Sequence, residues 1–112
     1  MPPKIEMLPA PNQSLAFWLS ELRDCESGST YTRNTGNGFY GAYQFMISTW
    51  DRIAVRADVN RPDLVGVRPD LASPSDQDYM IVKNTIVSKG GLSTQNPGCY
   101  ASKGLSNKPP VN

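Results

Sequence analysis

The sequence predicts a small, mainly helical (α+β) domain: three or more helices, a short hairpin or irregular flap, and one disulfide. Three observations predict it. Apolar residues recur at helical spacing over residues 15–25 and again over 48–57, a third segment from Ser73 to Gly91 carries start and stop signals at both ends, and the stretch between the first two is rich in glycine and asparagine without any helical period. At 112 residues the chain is one domain, whose modest core gains from a covalent staple.

Composition removes several classes of function. The net charge is +1 with mixed signs throughout, so neither a nucleic-acid footprint nor a basic membrane-binding face is present. The chain has no histidine, which excludes Ser-His-Asp and Cys-His machinery and the commonest ligand of catalytic zinc. Any acid–base step then falls to a carboxylate, and we expect no cofactor and no metal. Cys25 and Cys99 are far apart in sequence, which suits a disulfide in a secreted protein better than a CxxC site; two unpaired buried thiols in a cytosolic protein are the alternative. A bridge closing roughly 75 residues stabilises by about 4.5 kcal/mol on loop entropy. No leader-like apolar run occurs in the first thirteen residues and no stretch is long enough to span a bilayer, so the expectation is a leader already removed or another export route.

Residues 1–13 contain Pro2, Pro3, Pro9 and Pro11 and read as an extended lead-in. The domain is expected over 14–104, with 105–112 a flexible tail. In the first helix Leu15, Trp18, Leu22 and Cys25 form one face, widened by Leu19; Asn12 or Ser14 is placed to cap it, and it runs to Cys25 or Glu26. Ser27 to Tyr43 is non-helical, and the Asn-Gly chemistry of residues 34–38 predicts a turn with 31–33 loosely paired to 39–43. The second helix covers Ser48 to Ala57, with Trp50, Ile53, Ala54 and Ala57 on one face and Ser48 and Asp51 as a capping box. Asp58 to Ala72 repeats Arg-Pro-Asp-Leu at 61–64 and 68–71 and reads as a loop insertion. In the third helix Ser73 is the N-cap, Pro74 the first helical residue and Asp76 the box partner, with Gly90-Gly91 as the stop; Tyr79, Val82 and Ile86, flanked by Met80, Ile81 and Val87, are its expected buried face. Beyond Leu92 the one evident anchor is Cys99.

The chemistry concentrates in Asp24 to Trp50. A helix reaching Glu26 projects that carboxyl near Leu19 and Leu22, at the apolar edge, where its neutral form is favoured. Tyrosines, a glutamine and a threonine follow within the same stretch, a set suited to a sugar. An acid still protonated near neutral pH is what glycosidic cleavage needs, which singles out Glu26 as general acid. Two-carboxylate mechanisms require a partner. Asp24 points away on an ideal helix, Asp51 is accounted for as a cap, and Asp63 or Asp70 enters only if folding brings the loop over. Tyr31, Phe39, Tyr40, Tyr43 and Trp50 are either sugar platforms or core, with Tyr40 and Tyr43 favoured for the cleft. Ser27 either bonds Glu26 or fastens the helix end.

The block Cys25-Glu26-Ser27-Gly28, followed by NTGNGFYGAYQF at 34–45 and by Ser48-Thr49-Trp50, resembles the catalytic domain of the resuscitation-promoting factors, transglycosylase-like peptidoglycan hydrolases of high-GC Gram-positive bacteria. The resemblance extends from about Phe17 to Cys99. It implies a lysozyme-like fold with a glycan cleft, a catalytic glutamate at Glu26, a disulfide between Cys25 and Cys99, and substrate contacts from Gln44 and Thr49. With the residue-level reading, Ser27, Tyr40, Tyr43 and Trp50 complete the expected binding set. The chain departs from the family pattern at Ser29-Thr30-Tyr31, in place of Gly-Asn-Trp, at Ala42-Tyr43, and in the longer insertion.

The expected function is cleavage of the MurNAc to GlcNAc β-1,4 bond by a single glutamate, as a lytic transglycosylase or lysozyme-like hydrolase. Its partner is the peptidoglycan strand, with no nucleic acid and no membrane insertion, and the protein is expected to be a monomer in the cell wall or on a phage virion. A catalytically silent glycan-binding module and a disulfide-stapled inhibitor or signalling ligand are the readings from other classes.

Overall fold

The structure, a computed structural model, describes residues 13–111; residues 1–12 of the expected lead-in lie outside them. Five helices follow one another: α1 (Leu15–Ser27), α2 (Ile47–Ala54), α3 (Pro74–Val87), α4 (Leu92–Gln95) and α5 (Pro97–Lys103). Two single 3-10 turns, Pro62–Leu64 and Pro69–Leu71, interrupt the connection from α2 to α3.

The start of α1 is fixed by Ser14, whose Oγ accepts from the Phe17 amide at 3.0 Å. Its end is fixed by Gly28, which turns left-handed (φ 65°) and sends its own N–H to the Asp24 carbonyl. Trp18 and Leu22 from this helix are wholly buried, as the apolar spacing predicts. They meet Trp50 and Ile53 of α2 and Met80 and Ile81 of α3 in one core. Phe45 stacks edge-on to Trp50, with ring centroids 5.1 Å apart, and so ties the flap to α2.

Between α1 and α2 no strand forms among the described residues. The expected hairpin reduces to two isolated bridges, Asn34 with Tyr40 and Tyr40 with Phe45. A buried side chain replaces the missing ladder: Gln77 of α3 accepts from Ala42 N–H and donates to the carbonyls of Tyr31 and Ala72. Gly41 is required beside it, since its φ is 83° and a Cβ there would lie 2.5 Å from Gln77 Oε1.

Three expectations need correction. The capping box of α2 does not form; Met46 precedes the helix without a side-chain cap, and Asp51 Oδ1 instead accepts from Gly66 N–H across the insertion. The helix ends at Ala54, not Ala57, because the Ala54 carbonyl receives Arg61 N–H. On α3 the buried face is Gln77, Met80, Ile81, Asn84 and Thr85, while Ile86 is 39% exposed and Val82 half-buried. Counting apolar residues rotated the face, because hydrogen-bonded polar side chains such as Gln77 and Thr85 occupy it.

The insertion and the C-terminal segment both do more than sequence spacing shows. In the insertion each repeat folds its arginine onto its own aspartate through two hydrogen bonds, Arg61 to Asp63 and Arg68 to Asp70. Leu64 is buried and its carbonyl accepts the Trp50 indole N–H. After Gly91 the chain gains further anchors: Leu92 is wholly buried, Leu105 is 3% exposed, and Ser106 accepts the Trp18 indole N–H. Lys108 Nζ donates to the carbonyls of Thr85, Ile86 and Ser88, the last turn of α3. Gln13, placed in the lead-in by composition, is buried and hydrogen-bonded to Gly104 and Ser106.

Candidate active site

Glu26 sits in the last turn of α1, and the residue before it is bonded to α5. Cys25 and Cys99 form a disulfide, with Cα atoms 5.8 Å apart. The bridge brings the start of α5 and the Asn96-Pro97 junction against the end of α1. Asn96 Nδ2 donates to Glu26 Oε2 at 2.6 Å. The Cys99 sulfur lies 3.3 Å from the same oxygen; being disulfide-bonded it has no proton to give, so this is a contact only.

A cavity of about 380 Å³ opens beside the carboxyl, lined by Glu26, Phe39, Gln44, Gln95, Asn96 and the first residues of α5, Pro97, Gly98 and Cys99. A second, of about 160 Å³, shares Phe39, Gln44, Gln95 and Asn96 with the first and adds Tyr43, Thr49 and Asn84 among others. The shared residues make the two one groove. Loss of water pushes the Glu26 carboxyl above its ordinary range, and the Asn96 amide pulls in the opposite direction without cancelling the effect. The groove thus holds an acid whose proton is retained to higher pH than usual.

Among the described residues Glu26 is the one carboxylate lining either cavity. The other candidates are occupied elsewhere. Asp24 meets Lys103 at 2.8 Å, Asp51 holds Gly66, and Asp63 and Asp70 face their arginines. Asp78, on α3, accepts from Tyr31 and Tyr43 hydroxyls and lies 3.6 Å from Arg23.

Of the expected binding set, Gln44 and Thr49 line the groove, Gln44 in both cavities. Gln44 adopts φ 55°, the left-handed region, in a turn closed by its own side chain onto the Gly41 carbonyl, so strain is concentrated at the groove wall. Tyr43 lines the smaller cavity with its ring, but its hydroxyl is taken by Asp78 and Arg23; burial and Asp78 push the phenol well above its ordinary range. The other three are not brought together with these. Tyr40 lies under Arg68, 5.4 Å from its guanidinium, and lines neither cavity. Trp50 is 0% exposed, so its ring is core and cannot receive a sugar. Ser27 is buried, donates to the Arg23 carbonyl and accepts from Thr30 N–H, which makes it the fastening of the helix end.

Phe39, weighed above as sugar platform or core, lines both cavities, as do Gln95 and Asn96, which are absent from the expected set. Phe39 is 42% exposed, a large apolar ring open to the groove. For Asn96 a signal existed: it stands three residues before Cys99, so pairing Cys99 with Cys25 carries it to Glu26.

A single carboxyl thus lies in an open groove on a small helical domain in which a disulfide joins α1 to α5. The transglycosylase-like domain model matches residues 15–95, and the chain belongs to that family. It is 34% identical over 97 residues to resuscitation-promoting factor RpfC of Mycobacterium tuberculosis, covering 87% of this chain and 56% of that protein. It is 30% identical over 88 residues to resuscitation-promoting factor Rpf1 of Corynebacterium glutamicum, covering 79% and 40%. With resuscitation-promoting factor Rpf of Micrococcus luteus it shares 44% identity over 45 residues, 40% of this chain and 20% of that one. The chain therefore spans about half or less of the length of these relatives.

Proposed function

We propose that this domain is a lytic transglycosylase that cleaves the β-1,4 bond from N-acetylmuramic acid to N-acetylglucosamine in peptidoglycan. The observation that carries the reading is the isolation of Glu26: a partly desolvated acid with a neutral hydrogen-bond donor and no second carboxylate in the groove. Hydrolysis by either standard route uses two carboxylates, one of them to activate or replace water. One group suffices when the nucleophile belongs to the substrate.

In the proposed cycle Glu26 gives its proton to the glycosidic oxygen as the bond to C1 of the muramic residue breaks. The carboxylate so formed takes the proton of that sugar's 6-hydroxyl, whose oxygen closes on C1. The products are a 1,6-anhydro end and a free 4-hydroxyl, Glu26 is again protonated, and no water is consumed. Gln44, Thr49 and the open face of Phe39 are the groups that would hold the glycan along the groove. The substrate lies outside the cytoplasmic membrane, which fits a secreted or virion-borne protein. No helix among the described residues is long and apolar enough to cross a membrane.

The test is Glu26→Gln, which keeps the shape and removes the transferable proton. Wild type should release soluble fragments from purified peptidoglycan, and the variant should lose at least about a thousandfold in rate while binding glycan and folding normally. Near-normal turnover in the variant would refute the assignment. Glycan binding without cleavage by wild type would identify a silent binding module instead.

A further inference from the structure

The acid has one polar partner, and that partner's chemistry is informative. Glu26 Oε2 is occupied by the Asn96 amide at 2.6 Å and screened by the Cys99 sulfur at 3.3 Å. Oε1 receives no hydrogen bond from any described residue. We propose that Asn96 is a positioning residue for the acid: its amide holds Oε2, so that Oε1 is the oxygen that presents the proton to the groove and later takes one back. The proposal rests on Glu26 being the acid of the reaction above.

The main chain at Asn96 is held independently of its side chain. Its N–H donates to the Leu92 carbonyl and its carbonyl accepts from Tyr100 N–H, both at 2.8 Å, which joins α4 to α5. The disulfide three residues on fixes the distance to α1. The side chain is thus free to serve the groove.

A neutral amide is the donor type that a group with two alternating states requires. An arginine or lysine in this place would hold Glu26 ionised and spoil the acid; an apolar residue would leave the carboxylate formed after proton transfer without a donor. An amide bonds to the carboxylate and still tolerates the carboxylic acid. Nothing else offsets it. Arg23 of the same helix is engaged by Tyr43 and Asp78, and Asp24 by Lys103. Lys103 of α5 is held by Asp24 and Glu21. From the flap and α4 the groove receives Phe39, Gln44 and Gln95, all uncharged, and the one other titratable group on its walls is Tyr43 in the smaller cavity.

Two variants test the proposal. Asn96→Leu keeps approximate size and removes the donor; Asn96→Asp keeps shape, removes the donor and adds a like charge when ionised. The Glu26 side-chain carboxyl, followed by carbon-13 NMR in the absence of substrate, should titrate at higher pH in the Leu variant than in wild type. In the Asp variant the upper step of the pair should lie higher still. The alkaline limb of the pH–rate profile should move in the same order, with kcat reduced about tenfold in the Leu variant and KM little changed. Folding and disulfide are checked by circular dichroism and mass. A merely structural asparagine would lower melting temperature and leave the titration where it was. An unmoved Glu26 titration in either folded variant overturns the proposal. Because that arm needs no turnover, its failure is distinct from failure of the glycosidase reading, which shows as absence of wall cleavage by wild type.

Discussion

Glu26 in the groove and Asp70 in the insertion are both carboxylates drawn out of water, and their surroundings are opposite. Asp70, with 4% of its side chain exposed, lies in the two-pronged grip of Arg68 at 2.7 and 3.0 Å. Among the described residues Glu26 has a single amide and no cation. The groove walls are joined by a covalent bond between α1 and α5, whereas the insertion is tied down by ion pairs, the Trp50 indole and the Asp51 carboxylate. The buried Asp70 carboxylate is given a counter-charge, and the carboxyl to which we assign proton exchange is given a neutral donor.

The contrast can be broken from either side. The largest stability effect expected is at the bridge: Cys25→Ser with Cys99→Ser should cost about 4.5 kcal/mol on loop entropy, read by denaturant unfolding, and should lower cleavage because the acid and Asn96 lose their common anchor. Unchanged cleavage in the folded double variant would show that packing alone aligns the groove. A smaller loss is expected from Arg68→Met, which leaves Asp70 buried without its cation. Its unfolding midpoint should fall with an unchanged denaturant slope, and cleavage per folded molecule should stay at the wild-type level.

Giving Glu26 what Asp70 has sharpens the comparison. Gln95→Arg places a cation on the shared wall of the two cavities, which should hold Glu26 ionised and reduce cleavage about tenfold at neutral pH, with the alkaline limb shifted toward acid. The smallest effect concerns Glu26→Gln and stability. The Glu26 carboxyl is raised by burial, so its contribution to folding is fully present below the ordinary carboxylate pKa and is lost as pH rises through the raised value. The variant should therefore match wild type in acid and melt slightly higher toward neutral pH. A melting difference independent of pH would contradict that sign.

What the sequence made legible is what lies close along the chain. The α1 stripe, the Ser14 and Ser73 caps and the disulfide rest on short spacings or on there being two cysteines. Trp50 was ambiguous because an aromatic on a helical face is equally apt for core or platform; the Leu64 carbonyl, fourteen residues on, takes its N–H and decides for core. Apolar periodicity misplaces the α3 face because Gln77 and Thr85 are buried by hydrogen bonds that it does not register. Asn96 meets Glu26 across seventy residues, and its one trace in the sequence is its nearness to Cys99.

In the proposed cycle one carboxyl, unaided by a second, both gives and takes the proton, and the mass of the products tests this directly. Fragments released from peptidoglycan at early times should carry 1,6-anhydro ends, lighter by one water than reducing ends, and should take up no oxygen-18 from labelled water. Early fragments made solely of the heavier species, with label at the new end, would mean that water attacks and that a second group works beside Glu26.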